Sequence, residues 1–385
     1  MSDIYFRPKL ASDMAKQLLH PSTLDIGLRS GLFLSGLRRT GKTTFLLNDF
    51  IPELEAQGAL VIYIDLWSDI KQSPTKLVLS ALKKILKELA TPSSAVLTRL
   101  KKIKGMDLGV FGFKFGFKID AVDGNSDITI SRILTEIIDI AKTDVVLILD
   151  EVQQALTTDD GEQLMLALKA ARDAVNPRPN TPGHFLLVGT GSHRAMVHEM
   201  TARKTQAFKG AISTQFPLLD ETYVDFLRNK LASDHVPRIP SRSASIEAFK
   251  TLGSRPEEML KALRTLATLP KVQNVDTVFG VIAQTLRTAA ADLEIEKVAE
   301  MGGLATAIFD KVAAANGSAS GLFTKEAAAD YSAALGREVK VEDIQPTALD
   351  LVAKNLIMRL GHGQYAITDP FVQEVWSERK AILGK

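Results

Sequence analysis

The first half of the chain alternates short apolar runs with segments of helical spacing. The runs are rich in Leu, Val and Ile, which is typical of strands buried on both faces of a parallel sheet. Helical spacing separates several of them, as over residues 44–54 and near residues 160 to 175. The pattern predicts an α/β fold with a doubly wound, mainly parallel sheet. The predicted strands are residues 30–35, 59–65, 145–149, 184–190 and 211–217.

Beyond residue 218 the apolar positions recur with a spacing near 3.6 residues, and the connections are short. Pro256 falls in the first turn of one predicted helix, where proline is well tolerated. This part of the chain is expected to form a helical lid domain. The predicted helices are residues 219–232, 243–252, 255–268 and 273–291.

Residues 301–385 show a third pattern. A helix over 305–315 and a helix capped by Thr324 precede another helix over about 343–356. Residues 358–368 then alternate around a Gly-His-Gly turn, as a two-stranded wing would. The sequence therefore predicts a winged helix here, and three domains in all: residues 1–218, 219–300 and 301–385.

The composition limits the kinds of protein that this chain can be. With 385 residues, 45% of them apolar and 24% charged, the chain can bury a proper core. No apolar run approaches the ~20 residues that span a bilayer, and the first ten residues lack a leader pattern, so no membrane contact and a cytoplasmic location are expected. The absence of cysteine excludes disulfides and thiolate sites, and the six histidines show no ligand spacing.

Candidate chemistry begins at residues 35–46, SGLRRTGKTTFL, which carry the G-x-x-x-x-G-K-S/T spacing of a phosphate-binding loop between a strand and a helix. Gly36 and Gly41 are expected to permit backbone angles that a Cβ forbids, so that N–H groups converge on phosphate oxygens. Lys42 would reach the β- and γ-phosphates, and Thr43 would place its hydroxyl on Mg²⁺. The predicted nucleotide-binding residues are Gly36, Leu37, Arg38, Arg39, Thr40, Gly41, Lys42, Thr43 and Thr44.

A second candidate motif ends the strand over residues 145–149. Asp150 and Glu151 lie at its carboxyl end, where ligands bind in parallel sheets. Asp150 is predicted to bind Mg²⁺, directly or through water, and Glu151 to polarise the attacking water. A solvated acidic turn is the alternative, but a complete phosphate-binding loop upstream disfavours it.

Three further residues are candidates for contact with the nucleotide. Thr190 or Ser192, at the tip of the 184–190 strand, could sense the γ-phosphate, although a turn or a helix N-cap would explain both nearly as well. Arg255 could reach back to the nucleotide from the turn before Pro256. Lys42, Glu151 and Thr190 are the predicted catalytic residues.

Taken together, these motifs resemble the prokaryotic P-loop ATPases of the AAA+/STAND group, specifically the archaeal-type ATPases. The likeness rests on G-x-R-R-x-G-K-T, the Asp-Glu-x-Gln strand end, the Gly-Thr strand tip, the Gly-x-x-Pro lid turn and a Y-x-I/F-T-D-P-F element at 365–371. It implies a P-loop NTPase three-layer sandwich, a C-terminal winged helix, ATP as the nucleotide and Thr190 as the sensor.

Relatives often carry Gly-Arg before the fifth strand, whereas this chain has Lys209-Gly210. An arginine finger is thus unplaced, with Arg194, Arg203 and Lys209 as weak candidates.

Charge bears on the partner. Residues 301–385 carry nine Lys/Arg against ten Asp/Glu, which disfavours duplex binding by the predicted winged helix. The basic charge lies in residues 83–118, with nine bases against two acids, within an expected insertion at about 75–125. In residues 109–119 phenylalanines alternate with glycines and lysines. This stretch could be a strand that buries its phenylalanines, a nucleic-acid contact surface or a subunit-pairing surface.

Two functions follow from the sequence. The first is a DNA-associated ATPase that grips nucleic acid through residues 83–118. The second is a nucleotide-dependent switch in signalling or defence, whose winged helix binds protein rather than DNA. Both predict Mg²⁺-dependent ATP hydrolysis that controls domain arrangement, with a nucleotide-dependent homo-oligomer or another protein as partner.

Overall fold

The structure is a computed structural model that describes residues 4–69, 71–91, 93–104, 129–202, 207–270, 273–315 and 317–383. Residues 109–119, with the alternating phenylalanines, and Arg203 lie outside the described residues. Within the described ranges, no helix combines the length and the apolar character needed to cross a bilayer.

A five-stranded, fully parallel sheet forms the centre of the N-terminal part, as predicted. Its strand order is β2-β3-β4-β1-β5, so β4 lies between β1 and β3. Every residue of β3 is buried, which explains its uninterrupted apolar sequence. The strands are β1 Leu32–Ser35, β2 Leu60–Asp65, β3 Val145–Asp150, β4 Phe185–Gly191 and β5 Ile212–Gln215.

Helices cover both faces of this sheet and complete the predicted three-layer sandwich. Alternate residues of β3 enter different cores: Leu147 packs with α4, α6 and α7, whereas Val146 packs with α1 and the helix after β1. The apolar pattern did not lead us to predict α1, α4, α5, α6 or α8. The helices are α1 Pro8–Leu19, α2 Lys42–Phe45, α3 Ile51–Ala56, α4 Pro74–Ala90, α5 Ala95–Lys104, α6 Ile130–Ala141, α7 Asp159–Val175 and α8 Arg194–Ala202.

The helix predicted over 44–54 contains an irregularity. A π-helical turn, Leu46–Phe50, separates α2 from α3. Pro52 lies in the first turn of α3, where it has no N–H to donate to the carbonyl of Asn48. The wider turn accommodates this missing bond without ending the helix.

Four helices follow the sheet, and the last is longer than predicted. It begins at Val275 and continues to Glu300 rather than ending near residue 291. Phe279 near its start packs with the other lid helices, whereas Val298 near its end packs in the C-terminal core, so one helix joins the two cores. The helices are α9 Glu221–Ser233, α10 Arg242–Thr251, α11 Pro256–Thr268 and α12 Val275–Glu300.

The C-terminal unit contains three helices, an antiparallel two-stranded ribbon and a final helix that was not predicted. The third helix ends at Ala353, three residues before the predicted end, because Asn355 adopts a left-handed backbone conformation, with φ of 60°. Its assignment as a winged helix stays a prediction, as do the three domain boundaries. The elements are α13 Gly303–Ala314, α14 Lys325–Leu335, α15 Val341–Ala353, β6 Ile357–Gly361, β7 Gln364–Ile367 and α16 Pro370–Leu383.

Candidate nucleotide-binding site

The glycine-rich loop connects β1 to α2 at the carboxyl edge of the sheet. Gly41 caps α2 with a φ of 85°, a conformation that glycine adopts without strain. Gly36 does not have a positive φ, so the expectation about its backbone angles was wrong. Its role is close packing, since a Cβ there would lie 3.1 Å from the Cβ of Phe216. Arg39 is the second left-handed residue of the loop, with φ of 65°.

Lys42 lies buried beneath the loop. Its Nζ donates hydrogen bonds to the carbonyls of Gly36 (2.8 Å) and Leu37 (2.7 Å), and the Thr40 hydroxyl donates to the same Leu37 carbonyl. Burial lowers the pKa of Lys42 to about 8, and the nearby carboxylates of Glu151 and Asp150 only partly oppose this shift. The loop thus holds an ammonium group against its own backbone, at the point where phosphates would be expected.

The Asp150 carboxylate accepts hydrogen bonds from several parts of the site. Its Oδ2 accepts hydrogen bonds from the Thr43 hydroxyl (2.8 Å) and the Tyr63 phenol (3.0 Å). Its Oδ1 accepts one from the Thr190 hydroxyl and one from the backbone N–H of Glu151 (3.0 Å). The three predicted residues Thr43, Asp150 and Thr190 therefore lie together, although they come from three separate parts of the chain.

Tyr63 is a site residue that the sequence reasoning missed. It lies on β2, which pairs with β3, and its phenol is the one aromatic hydroxyl among the four donors to Asp150. A signal existed, because Tyr63 stands two residues before the carboxyl end of a predicted strand that is otherwise apolar up to Asp65. The strand pattern does not reveal which partner its hydroxyl would find.

The residues around Asp150 fit a hard divalent cation. The Thr43 hydroxyl and the Asp150 carboxylate supply two oxygen donors within hydrogen-bonding distance of each other. Over the ranges that the structure describes, no group of three His, Cys, Asp or Glu side chains could hold a metal ion. Mg²⁺ commonly takes only one or two protein ligands and completes its shell with phosphates and water, so a two-residue set is suited to it.

Glu151 has a left-handed backbone conformation, with φ of 53°. Its Oε2 accepts hydrogen bonds from the Gln153 amide (2.5 Å), the Ser192 hydroxyl (2.8 Å) and the Ser192 N–H (3.2 Å). The two sensor candidates are thus separated: Thr190 contacts Asp150, and Ser192 contacts Glu151.

The two arginines of the loop contact different neighbours. The Arg38 guanidinium lies 5.2 Å from the centroid of the Trp67 ring. Arg39 forms ion pairs with Glu257 (2.9 Å) and Glu258 (3.2 Å), at the start of α11. The neighbouring predicted residue, Thr44, has an exposed side chain.

Arg255 lines a cavity of about 570 Å³ whose wall also includes Arg38 and Arg39. It forms an ion pair with Asp369, and its guanidinium lies 4.9 Å from the centroid of the Phe371 ring. Its described partners therefore belong to the C-terminal unit, whereas the prediction directed it to the nucleotide.

Of the arginine-finger candidates, Arg194 is engaged within the chain. It donates hydrogen bonds to the Thr368 carbonyl and to Gln215 (3.3 Å), and burial lowers its pKa. Lys209 is exposed. The arginine finger thus stays unassigned.

Comparison with known proteins adds the family. A model of the ATPase domain predominantly from Archaea matches residues 21–262, well over half of the chain. A search among curated proteins finds no match.

Several solved structures have a similar fold. The Walker-type ATPase paby2304 of Pyrococcus abyssi superposes with a TM-score of 0.57 at 17% identity, over 97% of this chain and 96% of that one. The ORC2 protein of Aeropyrum pernix has TM-scores of 0.55 in its ADP form and 0.50 in its ADPNP-ADP complexes, in both cases at 12% identity over 100% of this chain and 98% of that one. At these identities the likeness is one of fold.

The lowered pKa of Lys42 predicts that nucleotide affinity depends on pH. Without nucleotide, Lys42 loses its proton as the pH rises through about 8. The phosphates of a bound nucleotide favour the charged form, so binding above this pH takes up a proton and becomes weaker. Between about pH 7 and about pH 9 we expect the affinity for Mg²⁺-ADP to fall by roughly tenfold.

Calorimetry in buffers of different ionisation enthalpy measures both the affinity and the proton uptake. Lys42→Arg is the control, since its guanidinium stays charged and its affinity should vary little over this range. Equal affinity of the parent protein at both pH values, without proton uptake, would contradict the prediction.

Proposed function

Since the chain belongs to the family of ATPase domains found predominantly in Archaea and is an ATP-hydrolysing enzyme of the P-loop class, we propose that its hydrolysis depends on Mg²⁺ and that its nucleotide state controls the arrangement of its lid and C-terminal unit. The observation that carries the proposal is the 2.8 Å contact between Thr43 and Asp150. It joins the phosphate-binding loop to the acidic strand end, the two parts that metal-dependent hydrolysis requires.

Each residue of the site has a proposed role. The loop N–H groups and Lys42 bind the phosphates, and Thr43 and Asp150 hold Mg²⁺. The metal, when bound, neutralises charge that develops on the phosphate oxygens. Thr190, bonded to Asp150, is proposed to report the state of the metal site along β4. Ser192 follows it and continues the connection to the C-terminal unit.

Glu151 is the proposed residue that orients the attacking water and accepts its proton. Its Oε2 accepts three hydrogen bonds from Gln153 and Ser192. All three bonds end on Oε2, so Oε1 is the oxygen proposed to accept the hydrogen bond from water. The bonds from Gln153 and Ser192 would hold the carboxylate in place for this role, and Ser192 is followed by His193 and Arg194, which contact the C-terminal unit.

Two sets of contacts connect the nucleotide site to that unit. On one side, Arg39 binds the first turn of α11, and Arg255 just before this helix binds Asp369. On the other side, His193 contacts the Ala353 carbonyl (2.9 Å) and Arg194 donates to the Thr368 carbonyl. Phosphates at the loop would compete with the α11 carboxylates for Arg39, which gives nucleotide a differential interaction with the two arrangements.

These contacts favour the switch over a C-terminal DNA reader. The carboxyl end of α15 and the ribbon pack against α8 of the ATPase part. The exposed face of α15 carries Glu342, Asp343 and Asp350, which would repel phosphates. We propose that this unit is a winged helix and that it acts by docking on protein, as a STAND-type switch would. A second copy of the chain is a suitable partner, since it could supply the missing arginine finger.

DNA association, if it occurs, is proposed through residues 83–118. Within the described part, Val78, Leu82, Leu86 and Leu89 of α4 are buried, which directs lysines of this helix toward its outer face. Arg99 is committed to an ion pair with Glu55 at 2.6 Å. The proposed nucleic-acid contact therefore relies on the lysines of this segment rather than on Arg99.

Replacing Glu151 tests the hydrolytic role. Glu151→Gln should keep nucleotide binding and lower kcat by about 100-fold or more, because the amide cannot accept a proton from water. A steady-state phosphate-release assay measures this, at high protein concentration, since an absent arginine finger can withhold a factor of ~10³. Glu162→Gln, an exposed change on α7, is the control. Equal turnover by Glu151→Gln and the parent would show that another group positions the water.

Breaking the contact between lid and C-terminal unit tests the switch. The chain has no cysteine, so Gln163→Cys and Glu338→Cys give a unique pair of exposed labelling sites for fluorescence transfer. We expect the distance between the labels to change between ADP and a non-hydrolysable ATP analogue. Arg255→Ala should move the ADP state toward the ATP state, because it removes the Asp369 ion pair.

Arg242→Ala is the matched control, since its ion pairs with Asp225 and Glu221 stay within the lid helices. A label distance that responds neither to nucleotide nor to Arg255→Ala would exclude this switch.

A salt titration tests DNA association. If residues 83–118 bind phosphates, affinity for duplex or single-stranded DNA should fall steeply with salt, and neutralising Lys101, Lys102 and Lys104 should reduce the salt slope by roughly three. Neutralising Lys325, Arg337 and Lys340 is the control of equal charge. An absence of binding at low salt, with or without ATP, would exclude the DNA-associated function.

A further inference from the structure

We infer that Tyr63 is a positioning residue: its phenol orients the Asp150 carboxylate for the divalent cation and so strengthens the metal dependence of nucleotide binding. The inference rests on the proposed role of Asp150 in holding Mg²⁺. It adds a residue from β2 to a site that is otherwise built from the glycine-rich loop, the end of β3 and the tip of β4.

The sheet register brings Tyr63 within reach of Asp150. Strands β2 and β3 are parallel neighbours, with Tyr63 opposite Ile148 and Asp65 opposite Asp150. Tyr63 is thus diagonal to Asp150, a relation that long aromatic side chains can bridge. Its hydroxyl lies 3.0 Å from Asp150 Oδ2, the oxygen that also accepts the Thr43 hydroxyl.

The direction of this bond is fixed by chemistry. A phenol is protonated at neutral pH, since its ordinary pKa is about 10. A carboxylate can only accept, and the phenol therefore donates. Thr43 is a proposed metal ligand and would turn its oxygen toward the cation. Tyr63 is not, and it can keep its bond to Asp150 when the metal binds.

A bond of this kind matters because it limits the rotation of a metal ligand. With Oδ1 held by Thr190 and the Glu151 N–H, and Oδ2 held by Tyr63, the plane of the carboxylate is set from both sides. Hydrogen bonds to ligating carboxylates typically change metal affinity or activity by about 10- to 100-fold when they are removed. The Tyr63 bond is the one of these that a single side-chain change removes without altering the loop or the β4 tip.

The phenylalanine variant isolates the hydroxyl. The Tyr63 ring packs against the core that contains Val146 and Ile148, and Tyr63→Phe keeps that packing. Tyr331→Phe is the matched control, because the buried Tyr331 hydroxyl has no hydrogen-bond partner among the described residues and lies in α14 of the C-terminal unit.

The experiment measures ADP affinity by calorimetry on the full chain, once with Mg²⁺ and once with a chelator. We expect Tyr63→Phe to leave the metal-free affinity unchanged and to reduce the gain from Mg²⁺ by about tenfold. The Mg²⁺ concentration for half-maximal ATP hydrolysis should rise by a similar factor, whereas Tyr331→Phe should match the parent in both. Since each variant is compared with itself, a modest loss of stability cancels in the ratio.

The outcomes separate the two proposals. If Mg²⁺ changes neither the ADP affinity nor the turnover of the parent protein, the proposed metal site is wrong. If the parent responds to Mg²⁺ and Tyr63→Phe responds equally, only the role of Tyr63 is overturned.

Discussion

The nucleotide site depends on surrounding one buried carboxylate with hydrogen-bond donors. Asp150 is 2% exposed at the end of a strand that is buried throughout. A buried carboxylate is costly unless donors surround it. Four donors do so here, and they come from the loop helix, β2, β4 and the backbone at Glu151. Satisfying Asp150 therefore fixes the relative position of all the strands that form the site.

The sheet order makes this possible. With β4 inserted between β1 and β3, Thr190 stands beside the loop strand, opposite Leu34, and next to the strand that ends in Asp150. Lys42 supplies the opposite charge, since Asp150 and Glu151 both raise its pKa against the larger effect of burial. The ammonium bonds to two loop carbonyls, so the loop and the acidic strand end balance each other's buried charge before any ligand binds.

Local sequence predicts one part of this site and not the other. The roles that depend on contiguous spacing, such as the loop from Gly36 to Thr43 and the strand that ends in Asp150, can be predicted, because period and motif are properties of neighbouring residues. The Tyr63 contact and the Arg39 ion pairs join residues 87 and 219 positions apart. No periodicity encodes such partners.

Gly36 was predicted as a site residue for the wrong reason, because its close approach to Phe216 depends on where β5 ends. The extension of α12 to Glu300 was missed because its apolar face changes from one core to another along its length.

Arg255 shows how nucleotide binding and domain arrangement can exclude each other. Its guanidinium is bound to Asp369 and lies against Phe371, and both partners are largely removed from solvent. Moving Arg255 to a phosphate would break its ion pair with Asp369, and separating a partly buried ion pair is costly. The movement is favourable only if the C-terminal unit also moves, so that Asp369 becomes hydrated. A nucleotide contact by Arg255 and the docked C-terminal unit are thus alternative states of one residue, and a ligand that binds one of them shifts the population of the other.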